Sequence, residues 1–332
     1  MDDLISIIVP MYNSSEYIIS TLNCLNELTY RNLELIFVDD GSEDNTLQIV
    51  NNYHFRNKMI IIKTISQSNS GVSSARNNGI KKAMGKYVFF LDADDYLFPD
   101  SIEKLYERIV VDNSDAIRGL FGIGQKNSYI NIEKTQFKKT YINEEIEILK
   151  KFLLTDKIKG YSCNFLIKKN IIDEYNIRFD EKMSFMEDFI FDLQLFNICK
   201  SISILDEVTY IYFQNETSLS KSTDIYKRFN NINARYEYTK EYLKNNNNID
   251  YVEDIMLQLA YIYLKTEKYI ILNKKNNSNY DLKKMNKTLL NNYNAIVSKY
   301  KLKSKICLKY KILFYLIKYN KINTMTVLLK LM

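Results

Sequence analysis

The chain has 332 residues, 46% of them hydrophobic, with eight glycines and two prolines, so it can bury a real core and is neither disordered nor collagen-like. Its single histidine, His54, leaves histidine-based triads and multi-histidine metal sites nearly excluded. Net charge is +6, but twelve lysines and no acid follow Asp281, which puts +12 on the tail and leaves −6 on residues 1–281.

The start, MDDLISIIVP, is acidic and only briefly apolar, unlike a signal peptide. No apolar run reaches the ~18 residues of a transmembrane helix, so a cytoplasmic chain is expected. Cys24, Cys163, Cys199 and Cys307 lack metal-ligand spacing and read as buried free thiols in a reducing compartment.

LISIIVP predicts a strand stopped by Pro10, its continuous apolar run suiting a sheet covered on both faces. Apolar residues at 18, 19, 22, 25 and 28 predict a helix capped by Ser14 or Ser15. LELIFVDDGS is a second strand and loop, EDNTLQIVNNY a helix, MIIIKTI a third strand. SGVSSARNNGIKKAM is a helix between Gly71 and Gly85, KYVFFLD a fourth strand, and PDSIEKLYERIV a helix with Pro99 near its first position. This alternation over residues 4–111 predicts a doubly wound α/β layer with a mostly parallel sheet. Strands at 115–122, 161–168 and 202–213 and helices at 143–154 and 186–199 follow. Beyond residue 223 the pattern is helical, broken at 245–248 and 273–279, and it ends in basic amphipathic helices.

Ligands of such sheets bind beyond the carboxyl ends of the strands. Tyr12 and Asn13, Asp39 and Asp40, and Asp92, Asp94 and Asp95 all fall there. Two carboxylates about 5 Å apart at an effective dielectric of about 20 repel by roughly 3 kcal/mol. A divalent cation would offset this, and carboxylate oxygens suit Mg²⁺ or Mn²⁺. The alternative is a solvated loop whose aspartates cap the next helix.

VPMYN, VDDGSEDNT, NSGVSSARNNGI and FLDADDYLFPDSI, in this order, closely resemble the family 2 glycosyltransferases, inverting enzymes with a GT-A catalytic fold. The resemblance continues through NFLIKKNIIDEYNIRFDEKMSFMEDFIFDLQLF and YIYFQNETSLS and covers roughly residues 4–220. It implies a catalytic domain over 1–220 and a helical C-terminal region over 221–332.

The resemblance assigns Tyr12 to stacking on the uracil of a UDP-sugar, with Pro10 shaping its loop, and Asp40 to the N3–H of the base; the alternatives are a loop aromatic and an ordinary turn pair with Asp39. Arg76 would face the nucleotide, or else make a helix-surface ion pair. Asn77 and Gly79 look like packing positions. Asp94 would hold Mn²⁺ or Mg²⁺, Asp92 would assist the metal or contact the ribose, and Ala93 would line the nucleotide-sugar between them. Asp188 would be the general base, kept anionic by the N-terminus of its helix, and Glu187 would orient base or acceptor; simple N-capping is the alternative. Phe213 and Gln214 stand where many members carry an arginine, with Lys221 a candidate substitute cation.

The implied reaction transfers one sugar, with inversion, to a hydroxyl of a glycan or lipid-linked oligosaccharide, as in bacterial capsule, lipopolysaccharide or teichoic acid synthesis. The basic tail would hold the enzyme at an anionic inner membrane face, unless it packs on the catalytic domain or a second subunit. A sugar-nucleotide-forming nucleotidyltransferase would want a Gly-rich basic loop after the first strand, which VPMYNSSEY lacks. An inactive nucleotide-sugar or glycan binding module is the remaining alternative, since a nucleic-acid partner is disfavoured by the acidic body.

Overall fold

The computed structural model describes residues 2–125, 128–131, 140–147, 149–150, 162–183, 187–213, scattered positions between 229 and 241, and 282–299. Residues 1–153 and 157–216 form one compact unit and the rest of the chain a second.

In the first unit the apolar runs become strands β1 (Ile5–Met11), β2 (Leu33–Asp39), β3 (Ile61–Ser66) and β4 (Tyr87–Phe90). Helices α1 (Ile18–Asn26), α2 (Thr46–Asn52) and α3 (Val72–Lys82) alternate with them. All four strands run parallel, in the order β3–β2–β1–β4. Every residue of β1, β2 and β4 is buried, as continuous apolar runs require of central parallel strands, whereas the edge strand β3 is largely exposed.

After β5 (Tyr96–Leu97) and α4 (Ser101–Asp112) the sheet becomes mixed. It continues through β6 (Ala116–Gln125), β7 (Ser128–Asn131), β8 (Thr140–Ile142), β9 (Phe165–Lys168) and β10 (Ser201–Tyr212). Strand β9 enters antiparallel between β4 and β6, and β10 lies parallel to β6. Helices α5 (Lys169–Glu174) and α6 (Glu187–Ile198) follow β9. The fold is GT-A: a mixed α/β sheet whose β3–β2–β1–β4 half is parallel.

Local details depart from the sequence expectations for identifiable reasons. Pro10 does not stop β1; it pairs with Val38 of β2. Ile8 is the last β1 residue opposite β4, and its carbonyl accepts from Leu91 on that side. Two residues on, the Pro10 nitrogen faces the same side, where no ladder partner follows and a missing N–H costs nothing. Ser14 and Ser15 do not cap α1, which starts after Tyr17 without a side-chain cap; the Ser14 hydroxyl bonds the Tyr12 carbonyl instead. Asp100 takes the N-cap position of α4, so Pro99 lies one residue before the helix.

Gly79 lets α3 press onto β1: a Cβ there would lie 2.3 Å from Ile8 Cγ2. This contact, with Ile80 and Ala75 fully buried, fixes α3 against the sheet and places Arg76 above its carboxyl end. In the second unit, α7 (Leu282–Lys299) buries Leu289 and Ile296, one heptad apart on one face. No helix among the described residues is long and apolar enough to cross a membrane. Apart from the scattered positions between 229 and 241, which are helical, the predicted helices between 223 and 281, Gln214, Lys221 and the basic segment beyond Lys299 lie outside the described residues.

Candidate functional site

In the order β3–β2–β1–β4 the chain reverses direction of winding between β1 and β4, the place where a crevice opens beyond the strand ends. Tyr12 follows β1 directly, and Asp92 stands two residues after the end of β4.

The β1 loop is stiff. Asn13, at φ 47°, accepts from the Glu43 N–H through its side chain, while its own N–H donates to Ser42 Oγ. Ser14 N–H reaches Thr46 Oγ1 and Ser15 N–H reaches Asp44. Burial opposes ionisation of Asp44, but hydrogen bonds from Thr46 and Ser15 outweigh it and bring the carboxyl down to about 2. On this braced loop the Tyr12 ring is 47% exposed, an aromatic face offered to solvent without a floppy support. Pro10, two residues before Tyr12, is buried.

Asp40 is buried and faces the loop before α3. Its oxygens accept from Gln67 Nε2, Ser70 N–H and Gly71 N–H, each at 2.8 Å. Three of about four acceptor positions of a carboxylate are thereby used, leaving room for one further donor. Gly41, at φ 76°, turns the chain after this pair, where an added Cβ would lie 2.9 Å from the Asn69 backbone nitrogen, and Asp39 accepts from Ser42 N–H at 3.3 Å.

The segment after β4 is a tight turn, with Asp95 N–H bonded to the Asp92 carbonyl at 3.1 Å. Thr21 of α1 anchors it by donating to the carbonyl of the buried Ala93 at 2.7 Å. Asp95 turns inward, accepting from Tyr210 Oη at 2.6 Å and from Phe213 N–H at 3.0 Å. Burial, with Asp94 and Asp92 adding, pushes its carboxyl well up. Asp92 stays partly open, its side chain 29% exposed, and Asp94 is likewise only partly covered.

Asp92 and Asp94 offer hard oxygen ligands. Among the described residues no cluster of three or more potential ligands forms a protein cage. That donor set fits Mg²⁺ or Mn²⁺ held by one or two carboxylates and completed by substrate phosphates and water.

On the other side of the crevice, Glu187 and Asp188 open α6. Arg76 joins the two sides. It is 2% exposed; Nη2 lies 2.8 Å from Asp92 Oδ1, and Nη1 lies 3.1 Å from both Glu187 Oε1 and Asp188 Oδ1. Its guanidinium sits 5.1 Å from the Phe179 ring centroid. Asn77 holds that segment in place, exchanging hydrogen bonds with the Phe179 backbone at 2.9 and 3.0 Å. Arg76 is thus neither a surface ion pair nor a side chain turned only toward a nucleotide; it is buried among three acids.

Asp188 also accepts from Ser162 Oγ. The expected depression of its pKa by the helix N-terminus is overridden. Burial pushes the carboxyl up to about 7; Glu187 and Asp92 add to the rise, and Arg76 and Ser162 oppose it. One turn below, Asp192 is 1% exposed and neither of its oxygens has a hydrogen-bond partner. Burial, reinforced by Asp188, drives it well up, toward the neutral acid.

Ser162 lies in no quoted motif, and Phe179 and Tyr210 lie in quoted stretches without a role read for them, yet each touches a site residue. Their only sequence signal is inclusion in the stretch of resemblance. Residues 6–175 match the model of "Glycosyl transferase family 2". The chain is 33% identical over 232 residues to "Uncharacterized glycosyltransferase EpsJ" of Bacillus subtilis (strain 168), covering 67% of this chain and 64% of that one, so it matches slightly under two thirds of that relative's length. It is 29% identical over 233 residues to "Poly(ribitol-phosphate) beta-N-acetylglucosaminyltransferase TarP" of Staphylococcus aureus (strain N315), covering 68% of each chain. Among solved structures, S. aureus TarS 1-349 in complex with UDP-GlcNAc superposes with a TM-score of 0.61 at 18% identity, covering 97% of this chain and 89% of that one. At that identity the likeness speaks to the fold alone.

Proposed function

The chain belongs to glycosyl transferase family 2, and from that footing we propose that it is an inverting glycosyltransferase of cell-surface polysaccharide synthesis. It moves one sugar from a UDP-sugar to a hydroxyl of a glycan or lipid-linked acceptor. The observation that carries this reading is the meeting, on Arg76, of the acids after β4 with the acids that open α6.

Tyr12 stacks on the base, and Asp40 uses its remaining acceptor position for the N3–H. Asp94, assisted by Asp92, would hold Mn²⁺ or Mg²⁺, and Ala93 would line the sugar nucleotide. The cation, when bound, stabilises negative charge on the leaving UDP. Asp188 removes the proton from the acceptor hydroxyl, and Glu187 orients it. A base whose pKa lies near 7 matches its task, being ionised often enough to act yet basic enough to take a proton. The acceptor oxygen bonds to the anomeric carbon as the bond to UDP breaks on the opposite face, so an α-linked donor gives a β-linked product.

The complex of TarS with UDP-GlcNAc and the polysaccharide named for TarP support donor and product classes. The catalytic domain spans 1–220 in this reading, and the helical region 221–332, with its twelve lysines after Asp281, attaches the enzyme to an anionic membrane face from the cytoplasmic side.

The test is thermal stability with UDP, GDP, CDP and dTDP, each with and without Mn²⁺. At about a hundred times its dissociation constant a ligand adds roughly 2.7 kcal/mol. UDP is expected to stabilise, and Mn²⁺ to strengthen this in the wild type but not in Asp94→Ala. If no nucleotide shifts either protein, the assignment is overturned in favour of a binding module without a nucleotide donor.

A further inference from the structure

Three carboxylates share one buried guanidinium, and they belong to different halves of the site. Asp92 stands on the donor side, 2.8 Å from Nη2; Glu187 and Asp188 stand on the acceptor side, each 3.1 Å from Nη1. Arg76 Nε has no hydrogen-bond partner, and the ion pairs to the three acids run through the two Nη groups. The Phe179 ring covers one face, and Asn77, one residue along α3, holds the Phe179 backbone. The guanidinium therefore has little freedom except to redistribute its hydrogen bonds among these acids.

A cation–diphosphate complex at Asp92 and Asp94 would compete with Nη2 for the Asp92 carboxylate. Charge released from that pair remains within reach of Nη1 and its two partners. Because binding linkage is reciprocal, whatever the donor does to Asp188 through Arg76, Asp188 must do to the donor.

We propose that Arg76 is a positioning residue that couples the two half-sites: donor loading at Asp92 and Asp94 shifts the guanidinium's hold toward Glu187 and Asp188, so occupancy of the donor side is transmitted to the base. The coupling rests on the donor and base assignments proposed above. It needs a planar fork that reaches both sides at once; a lysine ammonium in the same place is a point charge and cannot bridge them in the same way.

The test is a binding cycle without turnover. The affinity of UDP in excess Mg²⁺ is measured by calorimetry at pH 8 for the full-length wild type, D188N, R76K and R76K/D188N. In the wild-type background D188N should weaken UDP binding about fivefold or more, the lower range of allosteric coupling, because the guanidinium falls back on Asp92. In the R76K background the same change should alter affinity by less than about twofold. Equal factors in both backgrounds overturn the coupling while leaving the donor assignment intact. No UDP binding by the wild type overturns the donor assignment and the coupling with it. If R76K does not fold, side-chain ¹⁵N resonances of Arg76 are followed in the wild type and D188N, assigned through their contact with the Phe179 ring. They should move on adding UDP with Mg²⁺, and by different amounts in the two proteins; resonances that stay in place overturn the proposal.

Discussion

Replacing Asp188 with asparagine should make the protein more stable, and only at higher pH. Burial holds the Asp188 carboxyl at about 7 in the folded state, against 3.8 for an ordinary aspartate. Between those values the folded chain keeps a proton that the unfolded chain releases, so stability falls as pH rises through that window. Each pH decade contributes about 1.4 kcal/mol, which gives roughly 4 kcal/mol across the window. The side chain is 18% exposed, so solvent screening reduces this only modestly. The groups facing it — Arg76, Glu187, Asp92, Ser162 and Asp192 — are the same residues in both proteins. Urea unfolding of wild type and Asp188→Asn, without nucleotide or divalent cation, should show equal stability near pH 4. The variant should be more stable by several kcal/mol above pH 7. A difference that does not change with pH, or a wild type that gains on the variant as pH rises, would refute the claim that burial outweighs Arg76 at this carboxyl. The same ionisation predicts that turnover by the wild type falls on the acid side of about pH 7.

Tyr12→Ala should weaken UDP binding by about fivefold to a hundredfold, the worth of one base–aromatic stack at 1–3 kcal/mol, as read by calorimetry. The ring is 47% exposed, so the melting temperature without ligand should stay unchanged. Gly79→Ala drives a methyl to within 2.3 Å of Ile8 Cγ2 and should cost about 1–3 kcal/mol in urea unfolding. Because the displaced helix α3 carries Arg76, turnover should fall as well.

The parallel half of the fold was legible because its signals are local. Continuous apolar runs ending in polar residues mark β1, β2 and β4, and their crossover helices follow within a few residues. Pro10 misled as a strand stop because its effect depends on which side of β1 still has a neighbour, a fact of sheet order rather than of sequence. The aspartates after β4 and the acids at the start of α6 stood out in motifs, but the guanidinium linking them did not, since Arg76 meets Glu187 and Asp188 across 111 and 112 residues. The pKa of Asp188 was misjudged for the same reason. Its helix start is visible in the sequence and favours the anion, worth up to about 2 kcal/mol in partly buried sites. The surroundings that bury it are assembled from distant stretches of chain, with Ser162 and Arg76 bonded to it and Asp92 nearby. A helix terminus acts on Asp188 from one side only, whereas burial of that carboxyl beside Glu187 and Asp92 opposes its ionisation from several. That is why a single cation arriving at Asp92 should be felt at Asp188: it relieves the same shortage of positive charge from the opposite side of Arg76.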